Sequence, residues 1–93
     1  MAEILLEVPI EYEKNVCGEF DAYLKKIERS FRVSIFERNG DFKIIGDDAA
    51  CERAASVFGS LLELAKRGNI IMEQNVDYAI ALSMEKKLKL TII

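Results

Sequence analysis

From Glu3 to Val8 the chain alternates, with Ile4, Leu6 and Val8 on one side and Glu3, Leu5 and Glu7 on the other. A period of two predicts a half-buried strand, and Pro9 ends it. The polar stretch from Glu11 to Val16 predicts one or two helical turns, with Tyr12 and Val16 on one face, before Gly18 interrupts it. Phe20, Leu24, Ile27 and Phe31 then fall at spacings of four, three and four, a single stripe. That stripe predicts a helix to about Phe31 with Asp21 as its N-cap, and Lys25, Lys26 and Arg29 face away from it.

The strongest local signal is a hairpin. Val33–Arg38 and Asp41–Gly46 flank Asn39-Gly40, the preferred pair for a two-residue type I′ turn. This register sets Arg38 opposite Asp41, Glu37 opposite Phe42 and Ile35 opposite Ile44. Val33, Ile35, Phe42 and Ile44 then cover the helices, while Phe36 and Ile45 point to the other face. Asp47 or Asp48 is expected to cap a long helix that ends at Lys66-Arg67-Gly68, with Ala50, Ala54, Val57, Phe58, Leu61 and Ala65 as its apolar stripe. A further helix from about Glu73 to Lys86 buries Val76, Ala79, Ile80 and Ser83. Residues 86–93 read as a linker or a tail strand, from the partial alternation of Leu88, Leu90 and Ile92.

The expected order is β-α-α-β-β-α-α, with an extra C-terminal strand as an option. That is an α+β domain spanning residues 1–93, a three-stranded sheet with helices packed on one face. Such a length supports one core and not two.

Composition adds exclusions. The net charge is −3, with 51% hydrophobic and 31% charged residues, ordinary for a globular chain and poor for a general phosphate binder. The chain has no His, and Cys17 and Cys51 stand apart, so no mixed Cys/His zinc site forms. Nothing resembles a signal peptide or a membrane-length apolar run, and a reduced, cytoplasmic protein is expected. No G-x-x-x-x-G-K-[ST] occurs, since the glycines are 18, 40, 46, 59 and 68. No nucleophile–base spacing is visible either, so an enzyme is not expected, and no cofactor is implied.

Helix, Gly-containing loop, helix, then hairpin and long helix is the order of a K-homology (KH) RNA-binding fold. The chain also resembles the region preceding the ATPase domain of PhoH-like phosphate-starvation proteins. The resemblance runs from Glu3–Pro9 through Arg38-Asn39-Gly40 and Ile45-Gly46-Asp47 to Leu61–Gly68 and Asn75–Ile80. A departure falls at Met72, where that family usually has a small hydroxyl or Pro-containing helix start. KH domains clamp single-stranded nucleic acid with a G-x-x-G loop. The equivalent here is Gly18-Glu19-Phe20-Asp21, whose Gly-x-x-Asp form is similar to the PhoH-like pattern.

The resemblance implies a non-catalytic accessory module that binds single-stranded RNA weakly or positions a P-loop ATPase. Its nucleic-acid surface would comprise Gly18, Glu19, Phe20, Asp21, Lys25, Lys26, Arg29, Arg32 and Arg38. Between residues 14 and 38 there are six basic and four acidic residues, a mildly positive stretch in a negative chain. Phe20, Tyr23 and Phe36 are the aromatics expected to face outward. The alternative is a protein-interaction or self-association domain, working through an apolar patch of Leu5, Phe36 and Ile45 on the open sheet face.

Overall fold

The computed structural model describes the backbone of residues 1–92 and the side chains of residues 1–84. In chain order the elements are β1 (Ala2–Glu7), α1 (Ile10–Cys17), a tight turn at Glu19–Asp21, α2 (Ala22–Phe31), β2 (Ser34–Arg38), β3 (Asp41–Gly46), α3 (Asp48–Lys66) and α4 (Glu73–Ile92). The α+β order matches the one expected.

The three strands form an antiparallel sheet in the order β1-β3-β2. Ile35 pairs with Ile44, Glu37 with Phe42 and Arg38 with Asp41, the register the Asn39-Gly40 turn dictates. Val33, Ile35, Phe42 and Ile44 are all buried on the helix side. α3 lies across β1 and β3 and also touches α1, α2 and α4, so its stripe from Cys51 to Ala65 forms the centre of the core. The rings of Phe42 and Phe58 meet there at 5.7 Å between centroids, tilted by 48°, a favourable offset geometry. α3 ends in a Schellman motif: Gly68 N–H donates to Ala65 O at 3.0 Å and Asn69 N–H to Leu64 O at 3.1 Å.

Several expectations need correction, and Asp47, though at the N-cap position of α3, makes no side-chain capping bond. The tail is not a strand: α4 continues unbroken to Ile92, and Ile93 lies outside the described residues. No Gly or Pro follows Gly68, and the run Met84–Leu90 is composed of good helix formers, so nothing stops the helix. Asp21, at the N-cap position of α2, makes no side-chain capping bond. Its backbone is left-handed (φ 58°, ψ 29°), whereas a capping side chain normally springs from an extended residue.

The turn between α1 and α2 is held from both sides. Tyr23 is half-buried and not outward, since its hydroxyl donates to Ile71 O at 3.2 Å. Asn15 on α1 donates to Asn69 O at 2.9 Å and accepts from Ile71 N–H at 2.8 Å. These bonds lash α1 and α2 to the α3–α4 connection and fix the entry angle of the turn.

Candidate functional site

The turn after α1 is the most strained segment of the described chain. Gly18 sits at φ 77°, ψ 173°, and Phe20 and Asp21 both have left-handed backbones. The first of these conformations is essentially reserved for glycine, and the second is uncomfortable for a bulky residue. Gly18 is required on packing grounds as well. A Cβ there would lie 2.7 Å from the Tyr23 ring. The turn is thus built by Gly18 and Tyr23 together, and it thrusts Phe20 outward at 91% exposure.

Beside the turn lies an open groove of about 700 Å³ between α1 and the β2–β3 hairpin. Gly18, Phe20, Asp21 and Arg38 line it, so the fold brings these four predicted residues together. Glu19 instead lines a smaller depression of about 390 Å³ with Asn15, Tyr23 and Ile71. Lys25, Lys26, Arg29 and Arg32 do not border the groove. Lys26 is committed elsewhere: its ammonium pairs with Glu73 at 2.8 Å and with Asp77, tying α2 to the first turns of α4. Hydrogen bonds to Asp77 and Glu73 raise its pKa. Lys25, Arg29 and Arg32 are exposed.

The other six groove residues, Ile10, Glu13, Lys14, Cys17, Glu37 and Asn39, lay outside the predicted surface. A signal existed. Ile10, Glu13, Lys14 and Cys17 stand at i, i+3, i+4 and i+7, one face of α1. Glu37 shares the helix-facing side of β2 with Ile35, at the strand end next to that face.

The groove is electrostatically crowded. Partial burial raises the pKa of Glu13, and the neighbouring Glu37 carboxylate adds to the shift by its charge and by a hydrogen bond, with Asp21 contributing further. Burial, followed by the charges of Asp21, Glu13 and Glu37, pushes the Cys17 thiol up to about 12. A thiol so far from ionisation is no nucleophile at neutral pH. Cys51 is fully buried against Ala2 O and Ile44 O, and burial also raises its pKa. Among the described residues, no group of three His, Cys, Asp or Glu is placed to hold a metal ion.

On the outer sheet face, Leu5, Lys43 and Phe36 form one row across the strands, and Glu3, Ile45 and Ser34 form the next. Leu5 and Phe36 are well exposed, but Lys43 stands between them and reaches Glu3 at 3.6 Å. The apolar residues expected there therefore share the face without forming one continuous row. At the β2 edge, Ile35 N–H donates to the Glu28 carboxylate at 2.8 Å, which blunts that edge against strand addition. Among the described residues, no helix is long and apolar enough to cross a membrane.

Compared with known proteins, the chain is 33% identical over 72 residues to a PhoH-like protein of Bacillus subtilis (strain 168). The match covers 77% of this chain and 23% of that protein, so the chain spans less than a quarter of its relative's length. The resemblance carried by the sequence motifs is thus a relation to part of a PhoH-like protein. No family model matches the chain, and no solved structure matches it.

Proposed function

We propose, from its relation to part of a PhoH-like protein, that this chain is a non-catalytic, KH-like accessory module that docks on and positions a P-loop ATPase domain. The observation that carries this reading is the groove beside Gly18. A phosphate clamp needs backbone N–H groups and cations converging on an anion. Here Glu13, Asp21 and Glu37 line that position, and Lys26 is held by Glu73 and Asp77. Exposed apolar side chains remain at the rim, notably Ile10 and Phe20. A surface of this kind fits a protein partner better than a polyphosphate.

Weak binding of single-stranded RNA is the second reading, favoured by the exposure of Lys25, Arg29, Arg32 and Arg38. One pair of titrations separates the two. Calorimetry of the chain against the ATPase portion of a PhoH-like protein should give saturable binding. Binding to a short single-stranded RNA should be weak, fall steeply with salt and weaken further in Lys25→Glu. Absence of heat with the ATPase portion, alongside salt-sensitive RNA binding, would reverse the order of the readings.

A further inference from the structure

We propose that the groove between α1 and the β2–β3 hairpin receives a protein segment in which an arginine or lysine stands beside an apolar side chain. This rests on the docking reading above and names the chemistry of the partner at that surface. The argument is one of complementarity. The lining carries three carboxylates, Glu13, Asp21 and Glu37, against two cations, Lys14 and Arg38. Burial, and after it the nearby charges of Glu37 and Asp21, hold the Glu13 carboxyl above its ordinary range, and the lining as a whole carries a surplus of negative charge. An incoming cation offsets that surplus, whereas a phosphate adds to it.

The apolar half of the recognition is equally specific. Ile10 is 81% and Phe20 91% exposed, both on the groove rim, an arrangement that leaves two large hydrophobic side chains uncovered. The floor beside them includes Cys17, which stays a neutral thiol. A guanidinium over the Phe20 ring gains a cation–π contact, and its aliphatic stem or the neighbouring apolar residue covers Ile10. A purely apolar segment would leave the carboxylates unpaired. A purely basic one would leave the rim bare. The shape is open and not a closed cavity, which suits an extended segment crossing the surface.

The test is fluorescence anisotropy with a labelled ten-residue peptide alternating arginine and leucine. A glutamate/leucine peptide and a ten-nucleotide oligouridylate serve as competing probes. The whole chain should bind the arginine/leucine peptide and ignore the glutamate/leucine one. The double substitution Glu13→Gln, Glu37→Gln should weaken binding at least fivefold, and Phe20→Ser about threefold, by loss of charge pairing and of the aromatic contact. Phe36→Ser, on the opposite sheet face, should leave it unchanged. Thermal unfolding of each variant confirms that the fold persists; the Glu→Gln changes keep shape, and Phe20 is almost wholly exposed. No peptide binding, affinity of the double variant or of Phe20→Ser equal to that of the unaltered chain, or preference for the oligouridylate would each overturn the proposal. Calorimetry with the ATPase portion keeps the two readings apart. Unchanged affinity of the double variant for that portion sinks the groove assignment alone. Failure of the unaltered chain to bind it sinks the docking reading, whatever the peptide does.

Discussion

Two turns in this molecule solve the same backbone problem with different residues. The β2–β3 turn places Asn39 at φ 53° and Gly40 at φ 87°, and Asn-Gly is the pair that tolerates those angles best. The turn between α1 and α2 has its glycine first, at Gly18, and its later left-handed positions hold Phe20 and Asp21. An L-residue there costs about 1–2 kcal/mol when nothing local compensates. The hairpin turn is therefore relaxed and structural. The helix–helix turn stores strain and spends its most exposed position on a large aromatic ring. Local economy explains the first turn and not the second, and that contrast locates the candidate surface.

The largest expected effect that probes this contrast is Gly18→Ala. It forces a side chain into the glycine-only region and against the Tyr23 ring at 2.7 Å. A loss of about 3 kcal/mol, or roughly 12–24 °C in Tm, is expected by thermal unfolding. Gly40→Ala meets only Val8 O at 3.1 Å, and the expected loss is smaller, about 1–2 kcal/mol. Equal losses at the two sites would erase the distinction.

Asp21→Gly should act in the opposite direction, raising stability by about 0.5 kcal/mol as strain is relieved against a more flexible unfolded chain. The matching Asn39→Gly change in the hairpin should be nearly neutral, because Asn already suits its angles. Denaturant midpoints of the two variants measure the difference directly.

The carboxylate crowding gives a pH signature of smaller size. Glu13 is held above its ordinary value of 4.5, so the folded chain binds its proton more readily than the unfolded chain does. Its contribution to stability is thus favourable below 4.5 and is lost as pH rises through the raised value. Glu37→Gln should flatten that slope and raise Tm at pH 7 by a few tenths of a kcal/mol, about 1–3 °C, the range for a partly exposed like-charge pair. A pH–stability profile of the variant unchanged from the parent's would show that the two carboxylates do not interact.

The smallest effect is local. Lys26→Met removes the ties to Glu73 and Asp77, and the first turn of α4 should exchange its amide hydrogens faster. Because the folded pKa of Lys26 is raised, this tie is present at neutral pH and fades only as pH climbs past the lysine range. Unaltered exchange in the variant would mean that packing alone holds α4.

Much of the fold could be read from residue order, because its determinants are local. Alternation in β1, the Asn39-Gly40 register and the long stripe of α3 each depend on neighbours within a few positions. The burial of Val33, Ile35, Phe42 and Ile44 follows from that register once the helices take one face, whereas the placing of β1 beside β3 and not β2 is a long-range pairing that no local signal carries. The candidate surface was only half legible. Gly18, Phe20, Asp21 and Arg38 could be named from a motif, but a motif says nothing about what else enters the same groove. Lys26 reads as a free cation in sequence, because its partners Glu73 and Asp77 lie about fifty positions away.

By itself, then, the sequence determined the elements up to the first turns of α4, the hairpin register and which side of the sheet is apolar, since these are short-range matters of period and turn chemistry. Only the tertiary structure decided the sign of the groove. Electrostatics depends on distance through space, and α1, the Gly18 turn and β2 bring Glu13, Asp21 and Glu37 together from separate parts of the chain.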